Sequence, residues 1–421
     1  MPHLSGLTPN RVRAPRTFRA FEDRRFRLLW SANGLSYLCR MMQMTLVALL
    51  VLGITNSAWM VALSGFFGMV PTLLFALVGG VLADRVNRAR LMAMTQSVSL
   101  AASLVLTFAL LMGWVNVWHA YVTVFVAGAM WSIDFASRRS FIQDLLGRDG
   151  VTNGIALDSV AMHGSRMLGP ALAGGLMAWV GVGGGYLVVT AIYIVDLALI
   201  LQIKAPTSTS TQTTVSPWRN VIEGLQYARG NQVILASVVI TVLMNFFFFP
   251  YIPMVPVIAK KTLGVGEGLT GILMAADGMG AFLGALVIAS ITQLKRHGLI
   301  FTWGSMFALL LLLAFTFSRW YGLSFPILLL MGFGVSCFAT MQSTTVILAA
   351  KDEMRGRAMG LISLGIGAGP LGTLVVGAVA TAVSPEFAVG LNACVCAVLL
   401  MGVWMLMPAL RLPIVLSEGS N

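Results

Sequence analysis

Six charged side chains stand where charge is expensive. Arg40, Arg166 and Asp277 fall in the middle of long apolar runs, and Asp134, Asp158 and Asp196 fall nearer the ends of others. A carboxylate or guanidinium surrounded by hydrocarbon needs a partner, a proton or a water-filled cavity, so each is a functional candidate by default. The chemistry open to such groups is ion pairing and proton exchange. A neighbouring guanidinium favours the ionised carboxylate and burial disfavours it, so a rearrangement that alters either one can move a proton. His163, one turn from Arg166, offers a relay or simply packs through a hydrogen bond. Asp158 and Asp196 lie close enough to the ends of their runs to be read as solvated, snorkelling side chains.

The runs that must hold these residues dominate the chain. Of 421 residues, 58% are hydrophobic and only 10% are charged. A soluble domain carries roughly 25% charged residues, so this composition describes an integral membrane protein. A membrane helix needs about 20 apolar residues. Twelve runs qualify: 28–53, 58–82, 91–112, 116–137, 153–180, 185–203, 232–258, 267–291, 298–318, 321–348, 357–383 and 386–408. They are too long for membrane strands and do not alternate. The four cysteines, Cys39, Cys337, Cys394 and Cys396, lie inside apolar runs and read as small buried residues. No spacing indicates a metal site, and no cofactor is expected.

The net charge of +12 is explained by where the cations sit. With twelve spans, 22 Lys and Arg fall on one side and three, Lys260, Lys261 and Arg319, on the other. The crowded side is expected to be cytoplasmic, with both termini there. Membrane orientation accounts for the basic balance, and nucleic acid is not an expected partner. No cleavable signal is expected in residues 1–27, which lack an apolar core followed by a small-residue cleavage site. Arg11, Arg13, Arg16, Arg19, Arg24, Arg25 and Arg27 make this stretch a basic tail, and Phe18, Phe21, Phe26, Leu28 and Leu29 suit its last part to the membrane surface.

The longest interval between spans, 204–231, contains "PTSTSTQTTVSP" and divides the spans six and six. The expected organisation is a tail (1–27), a six-helix bundle (28–203), a linker (204–231), a second six-helix bundle (232–408) and a tail (409–421). The halves also repeat. Gly169–Pro170 in span five recurs as Gly369–Pro370 in span eleven, each after a similar loop, "LLGRD" and "LAAKD". A repeat of about 200 residues built of membrane helices is the mark of a two-bundle secondary transporter.

Between spans two and three the chain reads "GGVLADRVNRARLM" (79–92). Gly79 and Gly80 let another helix approach. Asp84 can cap the turn or face a helix N-terminus. Arg85, Arg88 and Arg90 can pair with that carboxylate, with other helix ends or with anionic lipid. Such a cluster can latch one bundle to the other, or merely set topology.

This loop resembles the signature of the major facilitator superfamily. "TNSAWMVAL" (55–63), "GSRMLGPALAGG" (164–175) and "EMRGRAMGL" (353–361) resemble its drug- and siderophore-exporter branch. The resemblance covers residues from about Phe18 to Pro408. It implies an all-α membrane protein of twelve transmembrane helices in two pseudo-symmetric six-helix bundles around a central cavity that opens to each side in turn. "GSRMLGPALAGG" resembles the span-five motif of antiporters. Independently of that, Gly164, Gly169, Gly174 and Gly175 favour close packing, and Pro170 frees the carbonyl of Arg166. Span four departs from the superfamily pattern with "MWSIDFASRRS", where Arg138 or Arg139 would be the partner of Asp84.

The resemblance also places spans five and eight side by side, which makes Arg166 and Asp277 a coupling pair or a static one. Arg40 and Asp134 form a second candidate pair, although Arg138 lies one turn from Asp134 and competes for it. Span seven contains "NFFFFPYIP" (245–253). Pro250 and Pro253 bend it, Asn245 offers a hydrogen bond, and Phe247 and Phe248 are candidates to line the cavity.

The resemblance implies a secondary active exporter of a small amphipathic molecule, drug-like or siderophore, working by alternating access in exchange for protons. It would act in the bacterial plasma membrane as a monomer amid lipid. An importer or uncoupled facilitator is the alternative, and a membrane sensor a distant one. No Walker loop, metal cluster or nucleophile elbow supports an enzyme.

Overall fold

The computed structural model describes residues 20–203, 217–291 and 296–412. Short polar caps start its helices. Asp23 caps α1 (Arg24–Thr55), Ser57 caps α2 (Ala58–Arg85) and Asn87 caps α3 (Arg88–Leu111). Asn116 begins a helical stretch that runs to Leu201 and is broken twice, at Gly147 (φ 64°) and Gly181 (φ 71°). Those positive φ values suit glycine, because a Cβ there costs about 1–2 kcal/mol. The breaks give α4 (117–146), α5 (148–180) and α6 (182–201).

In the second half, Asn231 caps α7 (Gln232–Lys261), followed by α8 (Glu267–Ser290), α9 (His297–Phe317) and α10 (Tyr321–Ala349). The last two are α11 (Arg355–Ala382) and α12 (Pro385–Leu406). Among the described residues eleven helical stretches are long and apolar enough to cross a membrane, and one of them, Gly150–Leu201, is the pair α5 and α6 divided at Gly181. A further amphipathic helix, Pro217–Arg229, lies in the linker and docks on the start of α11, where Glu223 meets Arg357 at 2.9 Å.

Two prolines reshape α7. Pro250 and Pro253 lack the N–H that would bond one turn back. The helix opens into a wide turn at Met244–Phe248, tightens to a 3₁₀ segment at Phe249–Met254, and resumes at Val255. The Gly-Pro repeats behave differently. Helical geometry continues through Pro170 in α5, whereas α11 is interrupted just before Pro370, at 367–368.

The face carrying the start of α1 and the α2–α3 loop is called the basic face here, and the opposite one the far face. Helices α5 and α8 bring the halves together, as do α2 and α11. Contact is close from the far face inward. Lys261 Nζ donates to the Asn56 carbonyl at 2.9 Å. A Cβ on Gly174 would stand 2.6 Å from Gly271 Cα, and one on Gly278 2.7 Å from the Arg166 carbonyl oxygen. That carbonyl is the one Pro170 leaves without its helical donor.

The start of α1 corrects one expectation. Phe26 and Leu29 are fully buried against Phe141 and Ile142 rather than laid on a membrane surface, because α1 begins at Arg24 and turns them inward. Phe21 packs edge-on to Trp30 at 5.1 Å. Phe18 lies outside the described residues.

Within the second half α8 and α10 cross at glycines. A Cβ on Gly280 would stand 2.8 Å from the carbonyl carbon of Leu329 and 3.2 Å from Gly332 Cα. These are backbone atoms and cannot swing aside. Gly280→Val is therefore expected to destabilise the protein by about 1–3 kcal/mol. Thermal melting in detergent checks this against Gly402→Val, where a Cβ meets nothing within 4 Å. Equal melting temperatures for the two variants would refute the close crossing.

Candidate functional site

The charge at the centre of α8 has two partners. Arg166 Nη2 on α5 donates to Asp277 Oδ2 at 2.6 Å, and the Tyr251 hydroxyl on α7 donates to the same oxygen at 2.5 Å. The Asp277 side chain is 9% exposed and that of Arg166 27% exposed. Sequence reasoning paired Arg166 with Asp277 and missed Tyr251. The signal was present in "NFFFFPYIP", since a tyrosine beside two helix-breaking prolines can be rotated off the regular helical face. The wide and tight turns of α7 perform that rotation.

The triad borders a 190 Å³ cavity between the halves, walled by Met41, Met44, Thr45, Pro170, Val255 and Met274 among others. Unbranched methionines make an adaptable apolar wall. The α7 residues on the cavity are Tyr251, Ile252 and Val255. Phe248 is fully buried in the hydrophobic core against Phe249 and Tyr251, and Phe247 packs on Phe246. Asn245 is buried and spends its amide on the Thr241 carbonyl of its own helix, at 2.9 Å. The altered winding of α7 turns these three away from the cavity and brings Tyr251 to it.

Inside the first half lies a second polar assembly. Arg138 is completely buried and pairs with Asp134, one turn away on α4. It also donates to Asn33 Oδ1 at 2.8 Å and to Gln96 Oε1 at 3.4 Å. Gln96 in turn donates to Asp196, while Asn33 and Tyr37 donate to Asp158 at 2.6 and 2.8 Å. One choice between alternatives is decided here and two expectations are corrected. The local pair takes Asp134, so Arg40 does not. Asp158 and Asp196 are 4% and 0% exposed rather than solvated. Arg138 is no loop cation, because α4 continues to residue 146 and carries it into the bundle. Burying these groups is tolerable only because amide, hydroxyl and guanidinium donors meet them. Arg40 instead stands over the Trp131 ring, 4.6 Å from its centroid.

The α2–α3 loop is partly described. The side chains of Asp84 and Arg85, and the surroundings of Gly79 and Gly80, lie outside the described residues. Asn87 caps α3 by accepting from the Arg90 N–H at 3.2 Å. Arg88 pairs with Asp144 near the end of α4, and Arg90 is exposed. The Arg88 ion pair therefore ties helices of one half to each other, not the two halves.

The glycines of "GSRMLGPALAGG" split by face. Gly169 abuts Met41 and Met42 of α1, and Gly174 abuts Gly271 of α8. Gly164 and Gly175 have open space where a Cβ would go. The expected continuous smooth face is thus two separate contacts, since residues five apart point about 140° apart on a helix. His163 is half-buried on the Arg166 helix, and His119 is exposed in the capping box of α4.

Twelve apolar helices, crossed in pairs between two halves about a cavity with a buried ion pair, define a membrane transporter of the major facilitator type. The chain belongs to the transmembrane secretion effector family, whose model matches residues 16–420. It is 24% identical over 334 residues to the staphyloferrin A transporter of Staphylococcus aureus, covering 77% of this chain and 82% of that one. It is 23% identical over 353 residues to the enterobactin exporter EntS of Escherichia coli O1:K1, covering 82% and 84%. Among solved structures, a bacterial homologue of the human lysosomal transporter Spinster, inward-facing and occupied, superposes with a TM-score of 0.68. It shares 14% identity, over 94% of this chain and 97% of that one. The nucleoside transporter NupG superposes with a TM-score of 0.67 at 13% identity, over 90% and 99%.

Proposed function

We propose that this protein is a proton-driven exporter of small amphipathic molecules, drug-like compounds or siderophores, in the bacterial inner membrane. The observation that carries the reading is the Arg166–Asp277–Tyr251 triad on the wall of the Met-lined cavity between the halves. A cavity of that character suits an amphipathic molecule. A carboxylate of the second half held by a guanidinium of the first is an ion pair that separates when the halves move apart. The family description and the exporter among the relatives support outward transport.

In this reading 28–203 and 232–408 rock as two bodies about the α5–α8 and α2–α11 contacts, joined by the 204–231 linker. The basic face is cytoplasmic, with both termini. One chain encloses the whole path, so the monomer is the working unit.

The test uses inside-out vesicles with an acid interior and a lumenal pH dye. Adding drugs and siderophores in turn, the expected result is substrate-dependent proton release by the wild type. Substrate movement that leaves the gradient untouched would replace exchange with facilitated diffusion.

A further inference from the structure

Helix α4 carries a ladder that none of the ion pairs uses. Trp131, Phe135 and Arg139 are spaced four apart, so they stand above one another on one face. The Trp131 and Phe135 ring centroids are 5.4 Å apart, and the Arg139 guanidinium lies 5.1 Å from the Phe135 centroid. From α1, Arg40 covers Trp131 and Tyr37 meets the same ring edge-on at 5.5 Å. The order along the ladder is cation, ring, ring, cation.

Arg40 differs from the other buried or half-buried arginines described in the bundle. Arg88, Arg138 and Arg166 each hold a carboxylate. Arg40 and Arg139 make no ion pair or hydrogen bond among the described residues. A ring face attracts a guanidinium but occupies none of its five N–H donors. Those donors match a planar oxyanion in a two-pronged fashion. Asp134 lines the same small recess as Arg40; its Oδ2 is held by Arg138 and its Oδ1 has no hydrogen-bond partner among the described residues.

The ladder also leads somewhere. Arg40 adjoins Met41 and lies one turn from Met44, both on the cavity wall. From Trp131 to Arg139 it runs along α4 toward the basic face, about 12 Å at the helical rise. Arg139 is exposed at its outer end, and Arg40, Trp131 and Phe135 are partly exposed. In the cavity itself the charge of Asp277 is matched by Arg166.

We propose that the Arg40–Trp131–Phe135–Arg139 ladder is a substrate subsite that takes the flat, anionic part of the transported molecule, an aryl carboxylate or a comparable planar oxyanion. This rests on the reading that the central cavity is the substrate's path, but not on proton exchange. The rings stack the aromatic portion, Arg40 holds the anion beside the cavity, and Arg139 collects it at the basic face. An anionic lipid headgroup offers the same oxygens, so the test separates the two sources.

The full-length protein in phosphatidylcholine nanodiscs is titrated calorimetrically with naphthoate and with its neutral isostere naphthamide. Naphthoate is expected to bind about tenfold more tightly, equivalent to about 1.4 kcal/mol. Arg40→Gln should erase that preference and Arg40→Lys should retain part of it. Arg139→Gln should weaken naphthoate binding and flatten its salt dependence. Equal affinities for the two probes in the wild type overturn the proposal, and that comparison needs no variant to fold. So does an Arg40→Gln protein with wild-type melting and an unchanged preference. Arg40-dependent binding of phosphatidylglycerol without naphthoate binding would assign the ladder to lipid and sink the substrate subsite. Loss of proton exchange in vesicles with naphthoate binding intact would fault the exporter mechanism alone.

Discussion

Asp277→Asn is expected to abolish substrate-dependent proton release in vesicles while leaving folded protein in the membrane. Asparagine has the shape of aspartate and keeps an oxygen that can accept from Tyr251 and Arg166. It cannot take up or release a proton at any pH of interest, so a cycle that carries its proton on this side chain stops. The Arg166 side chain is left without its counter-ion, but at 27% exposure it retains access to water in the cavity. The structural cost is therefore smaller than for a sealed ion pair. The lumenal pH dye reads the outcome directly, with the amount of folded carrier normalised by size-exclusion chromatography. Persistent proton release from the Asn variant would remove Asp277 from the coupling role. Tyr251→Phe provides the graded comparison, since it deletes one of the two donors to Oδ2 and keeps the carboxylate. It should slow exchange without abolishing it.

Loss of Arg138 should act on folding instead. This side chain is completely buried and satisfies Asp134, Asn33 and Gln96 from α4, α1 and α3. Through Asn33 and Gln96 it also organises the donors that hold Asp158 and Asp196 on α5 and α6. Arg138→Met leaves the Asp134 carboxyl buried without its partner, and breaking a buried pair in this way costs about 3–5 kcal/mol. A marked fall in the melting temperature in detergent is the expected reading. The double variant Arg138→Met/Asp134→Leu should recover much of the loss, because replacing both partners by apolar groups removes the unpartnered carboxyl. A single variant melting within about 2 °C of wild type would mean that the network contributes little.

The two experiments distinguish charges that look alike in the sequence. Asp134 and Asp277 are both lone acids in apolar runs. One faces an arginine on its own helix, sealed in a bundle, and the other faces an arginine across the interface between halves, beside a cavity. In the proposed transport cycle only the second changes surroundings.

What the sequence determined by itself is the set of elements and the class. Twelve runs long enough to span and prolines 250 and 253 in span seven suffice for the helices and their bends, whereas the caps Asn87, Asn116 and Asn231 are seen only in the structure. The reason is that the bilayer length and the need to satisfy every backbone group act on each segment locally. The tertiary structure alone decided which charges meet. It gave Asp134 to Arg138 and left Arg40 on Trp131. It buried Asp158 and Asp196 among donors, and it brought Tyr251 rather than Phe247 or Phe248 to the cavity. Those outcomes depend on the rotation of each helix about its axis and on its neighbours. Both are set by side-chain packing between segments over a hundred residues apart, which a hydropathy pattern averages away.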